Sequence, residues 1–201
     1  MHALADTGPD ATNIHGRPPR PHMLIGLTGR NASGKSTLVD WFAAKGLRSV
    51  SCSDSIRSWL AEKGVESTRE ALIEGGRELR REGGPGILAE MLLGSLEGAD
   101  AVVDSIRTPA EVAALRSRDD FVLIEVRADE DLRWQRLQRR ARSGDPSDRG
   151  TFVAQEKAEA EAEDEAGQAL DATASMADFQ VLNDGTISDL LNRVEQLWSE
   201  L

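Results

Sequence analysis

The chain has 201 residues, 24 Lys+Arg against 35 Asp+Glu for a formal charge of −11, and 39% hydrophobic but only 4% aromatic residues. That length suits one domain, no apolar run approaches the roughly 18–20 residues of a membrane span, and a single cysteine, Cys52, excludes an internal disulfide. The acidic excess argues against a surface that grips nucleic acid throughout, and MHALADTGPDATNIHG lacks the basic-then-apolar pattern of a secretory signal. A soluble protein of the cytoplasm, or of the host cytoplasm if viral, is expected.

Residues 1–22 carry four Pro, two Gly and three His without periodicity and read as a disordered N-terminal arm. From Met23 the chain alternates strand and helix signals. MLIGLT (23–28) is an apolar strand; Ser36–Lys45 is helical and stops at Gly46; LRSVS (47–51) is a short strand. Ser53–Lys63 is helical. Ser67 and Glu70 form a capping-box pattern for a helix to about Glu82, and Pro85 is placed to open the next, to about Leu96. AVVD (101–104) is a strand, Pro109–Arg116 a short helix, and FVLIEV (121–126) a nearly continuous apolar strand, as in a sheet covered on both faces. An Arg-rich helix follows at Asp129–Arg142, then a loop at 143–150. An Ala/Glu segment at about 151–175 reads as one long helix. FQVL (179–182) is the last strand and Thr186–Glu200 the last helix. The pattern predicts an α/β fold: a three-layer, doubly wound, parallel five-stranded sheet.

The most specific motif is Gly29-Arg30-Asn31-Ala32-Ser33-Gly34-Lys35-Ser36, followed by Thr37. It matches G-x-x-x-x-G-K-[ST] between a strand and a helix, the setting in which backbone N–H groups cradle phosphates. Lys35 is expected on the β/γ-phosphates and Ser36 on Mg²⁺. The motif implies nucleotide binding; it does not state what the nucleotide is used for. Asp104 closes the third strand, the Walker B placement of a second Mg²⁺ contact. All three histidines lie in the arm, so the core has no histidine acid/base, which fits phosphoryl transfer. Cys52 reads as a small strand-end residue.

In order along the chain, IGLTGRNASGKSTL (25–38), CSDSIR (52–57), LRREGGPGILAEMLL (79–93), VVDSIRTPAEVAALR (102–116), FVLIEVRADEDLRWQRLQRRARSGDP (121–146) and ADFQVLNDGTISDLLNRVEQL (177–197) resemble the nucleotide-kinase branch of the P-loop proteins. The last block is similar to dephospho-CoA kinases and the middle blocks to small adenylate-kinase-related P-loop proteins. The resemblance implies a kinase domain over 23–201, with an acceptor-binding insertion at about 53–97 and a lid at about 129–175. It implies ATP and Mg²⁺ as cofactors and Asp54, Arg57 and Arg107 at the acceptor, Asp54 as a catalytic residue orienting or deprotonating its hydroxyl. A loop containing Asn183 and Gly185 would pass the adenine through backbone contacts, so that side-chain identity there matters little. In the Arg-rich helix, positions 133, 136 and 140 share a face while 139 and 142 project elsewhere. Arg136 and Arg140, then Arg133, are the expected lid contacts to the transferred phosphoryl group. Gly144, Pro146 and Gly150 bound a hinge-like loop.

Three functions stay open on sequence. The first is a kinase acting on a nucleotide-type small molecule, a nucleoside monophosphate or dephospho-CoA-like acceptor. The second is a phage-type kinase phosphorylating a hydroxymethylated base in DNA. The third is a non-catalytic nucleotide switch. No membrane partner is expected, and the chain is read as a monomer or homodimer. Glu156–Glu165, six acids and one Lys, reads as a solvated helix face. That reading assigns the −11 to the exterior and leaves a basic site.

Overall fold

The computed structural model describes residues 22–142, 145–160 and 168–201. Most of the expected arm, Gly144 of the loop, and positions 161–165 of the acidic segment lie outside the described residues. In chain order the elements are β1 (Leu24–Thr28), α1 (Lys35–Ala44), β2 (Arg48–Ser51), α2 (Cys52–Glu62), α3 (Arg69–Gly83), α4 (Ile87–Leu96), β3 (Ala101–Asp104), α5 (Pro109–Leu115), β4 (Phe121–Arg127), α6 (Glu130–Arg140), α7 (Arg149–Ala160), α8 (Leu170–Ala174), β5 (Phe179–Leu182) and α9 (Ile187–Glu200).

The five strands form one parallel sheet in the order β2-β3-β1-β4-β5. β1 lies at its centre with all five residues buried, which explains its unbroken apolar run. Because side chains alternate across a strand, the sheet separates two cores. Leu24, Val103 and Leu123 pack on one face under α2, α4 and α5. Ile25, Leu27, Val102, Ile124 and Val126 pack on the other with Leu38 and Phe42 of α1 and Leu190, Val194 and Trp198 of α9. There the sparse aromatics concentrate: Trp41 and Trp198 meet edge to face with centroids 5.8 Å apart.

Register fixes the working edge. Ser51 at the end of β2 pairs with Asp104 at the end of β3, and Thr28 at the end of β1 donates from Oγ1 to the Ile106 carbonyl at 3.0 Å. The P-loop, the β2–α2 junction, the β3–α5 loop and the β5–α9 loop therefore all emerge at the carboxyl edge, where open α/β sheets bind ligands.

Four local expectations change. The α3 cap is Thr68, not Ser67: its hydroxyl accepts from the Ala71 N–H at 3.1 Å. Pro85 lies in the turn before α4, whose N-cap is Gly86. The expected 151–175 helix is interrupted: α7 is described to Ala160, residues 168–169 are not helical and a separate α8 begins at Leu170, a break missed because the Ala/Glu composition carries helix propensity but no stop signal. His22, assigned to the arm, is held at the start of β3, its Nδ1 3.2 Å from Asp100. Among the described residues, no helix is long and apolar enough to cross a membrane.

Candidate active site

The P-loop curls because its glycines accept backbone angles that other residues resist. Gly29 has φ +128° and Gly34 φ +108°. A Cβ on Gly29 would lie 2.3 Å from the Val126 carbonyl, and one on Gly34 2.2 Å from Nδ2 of Asn183. Gly34 is also the N-cap of α1, so that helix presents its positive end to the cradle. Lys35 folds back over the loop, donating from Nζ to the carbonyls of Gly29 at 2.6 Å and Arg30 at 3.1 Å. Burial lowers its pKa to about 8, with the Asp104 charge pulling the other way and that of Arg107 adding to the fall. The ammonium is thus parked on backbone acceptors at the place where phosphate oxygens would be better partners.

Two buried oxygens here have no hydrogen-bond partner among the described residues, Ser33 Oγ and Asp104 Oδ1. A buried oxygen without a partner carries a desolvation penalty of about 1–3 kcal/mol. With Ser36 exposed on the first turn of α1, this donor set fits a Mg²⁺ that takes few protein ligands and completes its shell with phosphate and water. It does not resemble an all-protein metal cage, and no cluster of three or more His, Cys, Asp or Glu that could hold a metal occurs among the described residues.

The β5–α9 loop closes the cradle from behind. Asn183 is buried and donates from Nδ2 to the Ser33 carbonyl at 2.8 Å. Its own carbonyl accepts from Arg136 Nη2 at 2.7 Å, and Arg136 Nη1 reaches the Ala32 carbonyl at 3.4 Å. The expectation that side-chain identity in this loop matters little is overturned at Asn183, whose amide braces the P-loop. Gly185 sits against Asp189 at the start of α9, where an added Cβ would lie 2.7 Å from Oδ2.

On α6, Arg133, Arg136 and Arg140 all turn toward the P-loop. Arg133 is buried and reaches the Asn31 carbonyl at 3.4 Å. Arg140 donates from Nη2 to the Asn31 side chain at 3.0 Å and is oriented by Asp145, whose oxygens lie 2.8 and 2.7 Å from its Nε and Nη2. That pairing holds the Asp145 carboxyl below its ordinary range. Arg139 is exposed. Arg142 lies past the helix end at Ala141 (φ +42°), so helical spacing does not govern it, and it lines a cavity on the other side.

That cavity, about 420 Å³, occupies the side of the edge between α2, α3 and the β3–α5 loop. Six arginines line it, Arg57, Arg69, Arg80, Arg107, Arg140 and Arg142, against two carboxylates, Asp145 and Glu159. Ile56, Leu72, Ile73 and Leu88 supply apolar walls. Asp54 is not in the lining. It completes the α2 capping box, accepting from the Ser51 N–H at 2.8 Å, and its other oxygen holds Arg57 at 2.8 Å. Asp54 therefore orients Arg57 here. Cys52 lines the cavity as a buried thiol, and burial pushes its pKa well up, with the Glu111 charge adding to the rise. It is a packing residue.

On sequence Glu111 reads as an acid of the helix N-terminus, and it is one, completing the α5 capping box with Thr108; what sequence reasoning missed is what else it holds. Glu111 is fully buried, holds Arg80 at 2.7 Å, and accepts from the N–H groups of Arg107 at 2.8 Å and Thr108 at 3.2 Å. It fixes the β3–α5 loop and ties it to α3. The acidic segment is also not a solvated face where it is described. Glu156 is buried, 2.5 Å from Arg133 Nη1 and 3.4 Å from Arg30 Nη1. Glu159 lies 2.8 Å from Arg69 and 3.3 Å from Arg107. Only their i,i+3 spacing hinted that they share a face; nothing local distinguished them from the other acids.

A phosphate cradle on the central strand, a Walker B aspartate on the adjacent one and an Arg-bearing helix beyond define the fold of the P-loop kinases. Structural comparison agrees. The crystal structure of TT1252 from Thermus thermophilus superposes with a TM-score of 0.59 at 21% identity, covering 90% of this chain and 99% of that one. Shikimate kinase from Bacteroides thetaiotaomicron gives 0.56 at 17% identity, covering 88% and 98%. No family model matches the chain. A UPF0200 protein of Methanothrix thermoacetophila is 32% identical over 180 residues, 89% of this chain and 97% of that protein. The chain belongs to the UPF0200 family.

Proposed function

We propose that the protein is a phosphotransferase that moves the γ-phosphoryl group of Mg·ATP to a nucleotide-type acceptor already carrying phosphate. The observation that carries this reading is the arginine-lined cavity at the same sheet edge as the P-loop, with Arg107 and Glu159 close enough to act on the Lys35 charge. A hydrolase or a switch needs no second anion site; a kinase with a phosphorylated acceptor does.

In this reading the N–H groups of residues 29–37 hold the ATP phosphates, and Lys35 leaves its backbone carbonyls for the β/γ-oxygens. Ser36 and Asp104 would hold Mg²⁺, which when bound offsets the charge on the transferring group. Arg136, spanning Ala32 and Asn183, flanks the base with the loop through Gly185. Arg140 faces the charge that develops on transfer, the electrostatic contribution that dominates phosphoryl transfer. Arg107 and Arg57 clamp the acceptor phosphate, and Asp54 acts through Arg57. The segment at about 53–97 forms the acceptor arm, and α6 and α7 serve as the lid.

The test is ADP release across AMP, CMP, UMP, dTMP, dCMP, dephospho-CoA and hydroxymethyluracil-containing DNA. Turnover on one mononucleotide-type acceptor well above the rate with water is expected. A best rate on DNA, or none above water, overturns the proposal.

A further inference from the structure

We propose that Glu159 sets the charge an acceptor must carry: it is an internal anion seated between Arg69 and Arg107, and a ligand enters only if its own anion outcompetes it. The inference rests on the acceptor reading above.

The geometry is that of a carboxylate occupying a site built for something larger. Its two oxygens serve two arginines from separate parts of the chain, Arg69 at the start of α3 and Arg107 on the β3–α5 loop. The contact to Arg69 is short at 2.8 Å, but that to Arg107 is 3.3 Å, and Arg107 Nη1 also donates to the neutral Gln168 side chain at 2.8 Å. Glu159 is only 14% exposed while the arginines are 29% and 32% exposed. The carboxylate is thus drawn inward by the arginines, and water can still reach them.

The consequence is a threshold. A ligand with only hydroxyl groups would leave Glu159 beside the arginines or displace it without replacing its charge. A monocarboxylate would exchange one carboxylate for another with no gain. A phosphate monoester brings close to two negative charges and three acceptor oxygens, enough to satisfy both guanidiniums with charge-assisted hydrogen bonds.

The test is titration of the full chain with inorganic phosphate, and separately with acetate, followed by calorimetry with Mg·AMP-PNP saturating the P-loop. Glu159→Gln should tighten phosphate by about 3- to 30-fold, the loss of competition from two half-exposed ion pairs, and should bring acetate into measurable range. Glu159→Asp, which keeps the charge, should stay within about 3-fold of wild type. Thermal melts of both variants check that they fold. If wild type binds phosphate and Glu159→Gln binds it equally or more weakly, Glu159 is not a competitor and the inference fails while the acceptor site stands. If phosphate binds neither wild type nor Glu159→Gln, or binds Arg107→Met as well as wild type, the acceptor reading itself fails and takes this inference with it.

Discussion

The phosphate cradle is made within the single run Gly29–Thr37, whereas the cavity beside it draws its charge pairs from partners 31, 52 and 90 residues apart in the chain. The cradle works through backbone: glycines at positive φ, N–H groups aimed inward, a helix end. The cavity works through side chains whose positions depend on other side chains, with buried Glu111 beneath and Glu159 above. The cradle too is braced over long range, by Asn183, Arg133 and Arg136, and Arg107 and Glu159 of the cavity act on the Lys35 charge. The two differ in what presents the polar groups, backbone in one and side chains in the other, not in independence.

The comparison can be broken at its most buried link first. Glu111→Gln leaves Arg80 without its carboxylate and weakens the acceptance of two N–H groups. It should lower unfolding free energy by about 3–5 kcal/mol in urea titration. Lys35→Ala should cut ADP release by about 10²–10³-fold, as removal of a donor at the developing charge does elsewhere, with a cooperative thermal melt retained. Asp54→Asn tests the other half: because Asp54 acts on the cavity through Arg57, the acceptor KM should rise roughly 5-fold while the ATP KM stays put. An unchanged acceptor KM would remove Asp54 and Arg57 from the site.

The pH response follows from Lys35. Its pKa is depressed to about 8, so between that pH and the ordinary lysine range of about 10.4 the unfolded chain binds more protons than the folded one. The free protein should therefore gain stability as pH rises through that window. Nucleotide binding should run the opposite way, weakening above about pH 8 and taking up protons at pH 8.5, up to about one per site. Calorimetry in buffers of different ionisation heat reads that uptake. At the small end, Glu74→Gln breaks an exposed pair with Arg81 on α3 and should change stability by less than about 1 kcal/mol.

These contrasts also explain what the sequence disclosed. All five strands and their parallel arrangement were legible, because buried strands leave apolar runs and βα alternation restricts topology; the strand order was not read. The P-loop was legible because its chemistry is contiguous. Arg133, Arg136 and Arg140 could be placed on one face from helical spacing alone. Glu111 could be read only as an acid of the α5 N-terminus, and Glu156 and Glu159 not at all, since a buried carboxylate and a solvated one look alike until the arginine opposite is known. Asn183 was placed in a loop expected to pass the adenine, but the hydrogen bond from its side-chain amide to the Ser33 carbonyl depends on a contact no local pattern announces.

The brace between Asn183 and the Ser33 carbonyl spans 150 residues. The glycine-rich loop is contiguous in sequence, but the amide that steadies it arrives from the far edge of the sheet. The loop therefore reaches its braced geometry only once β5 has joined that edge.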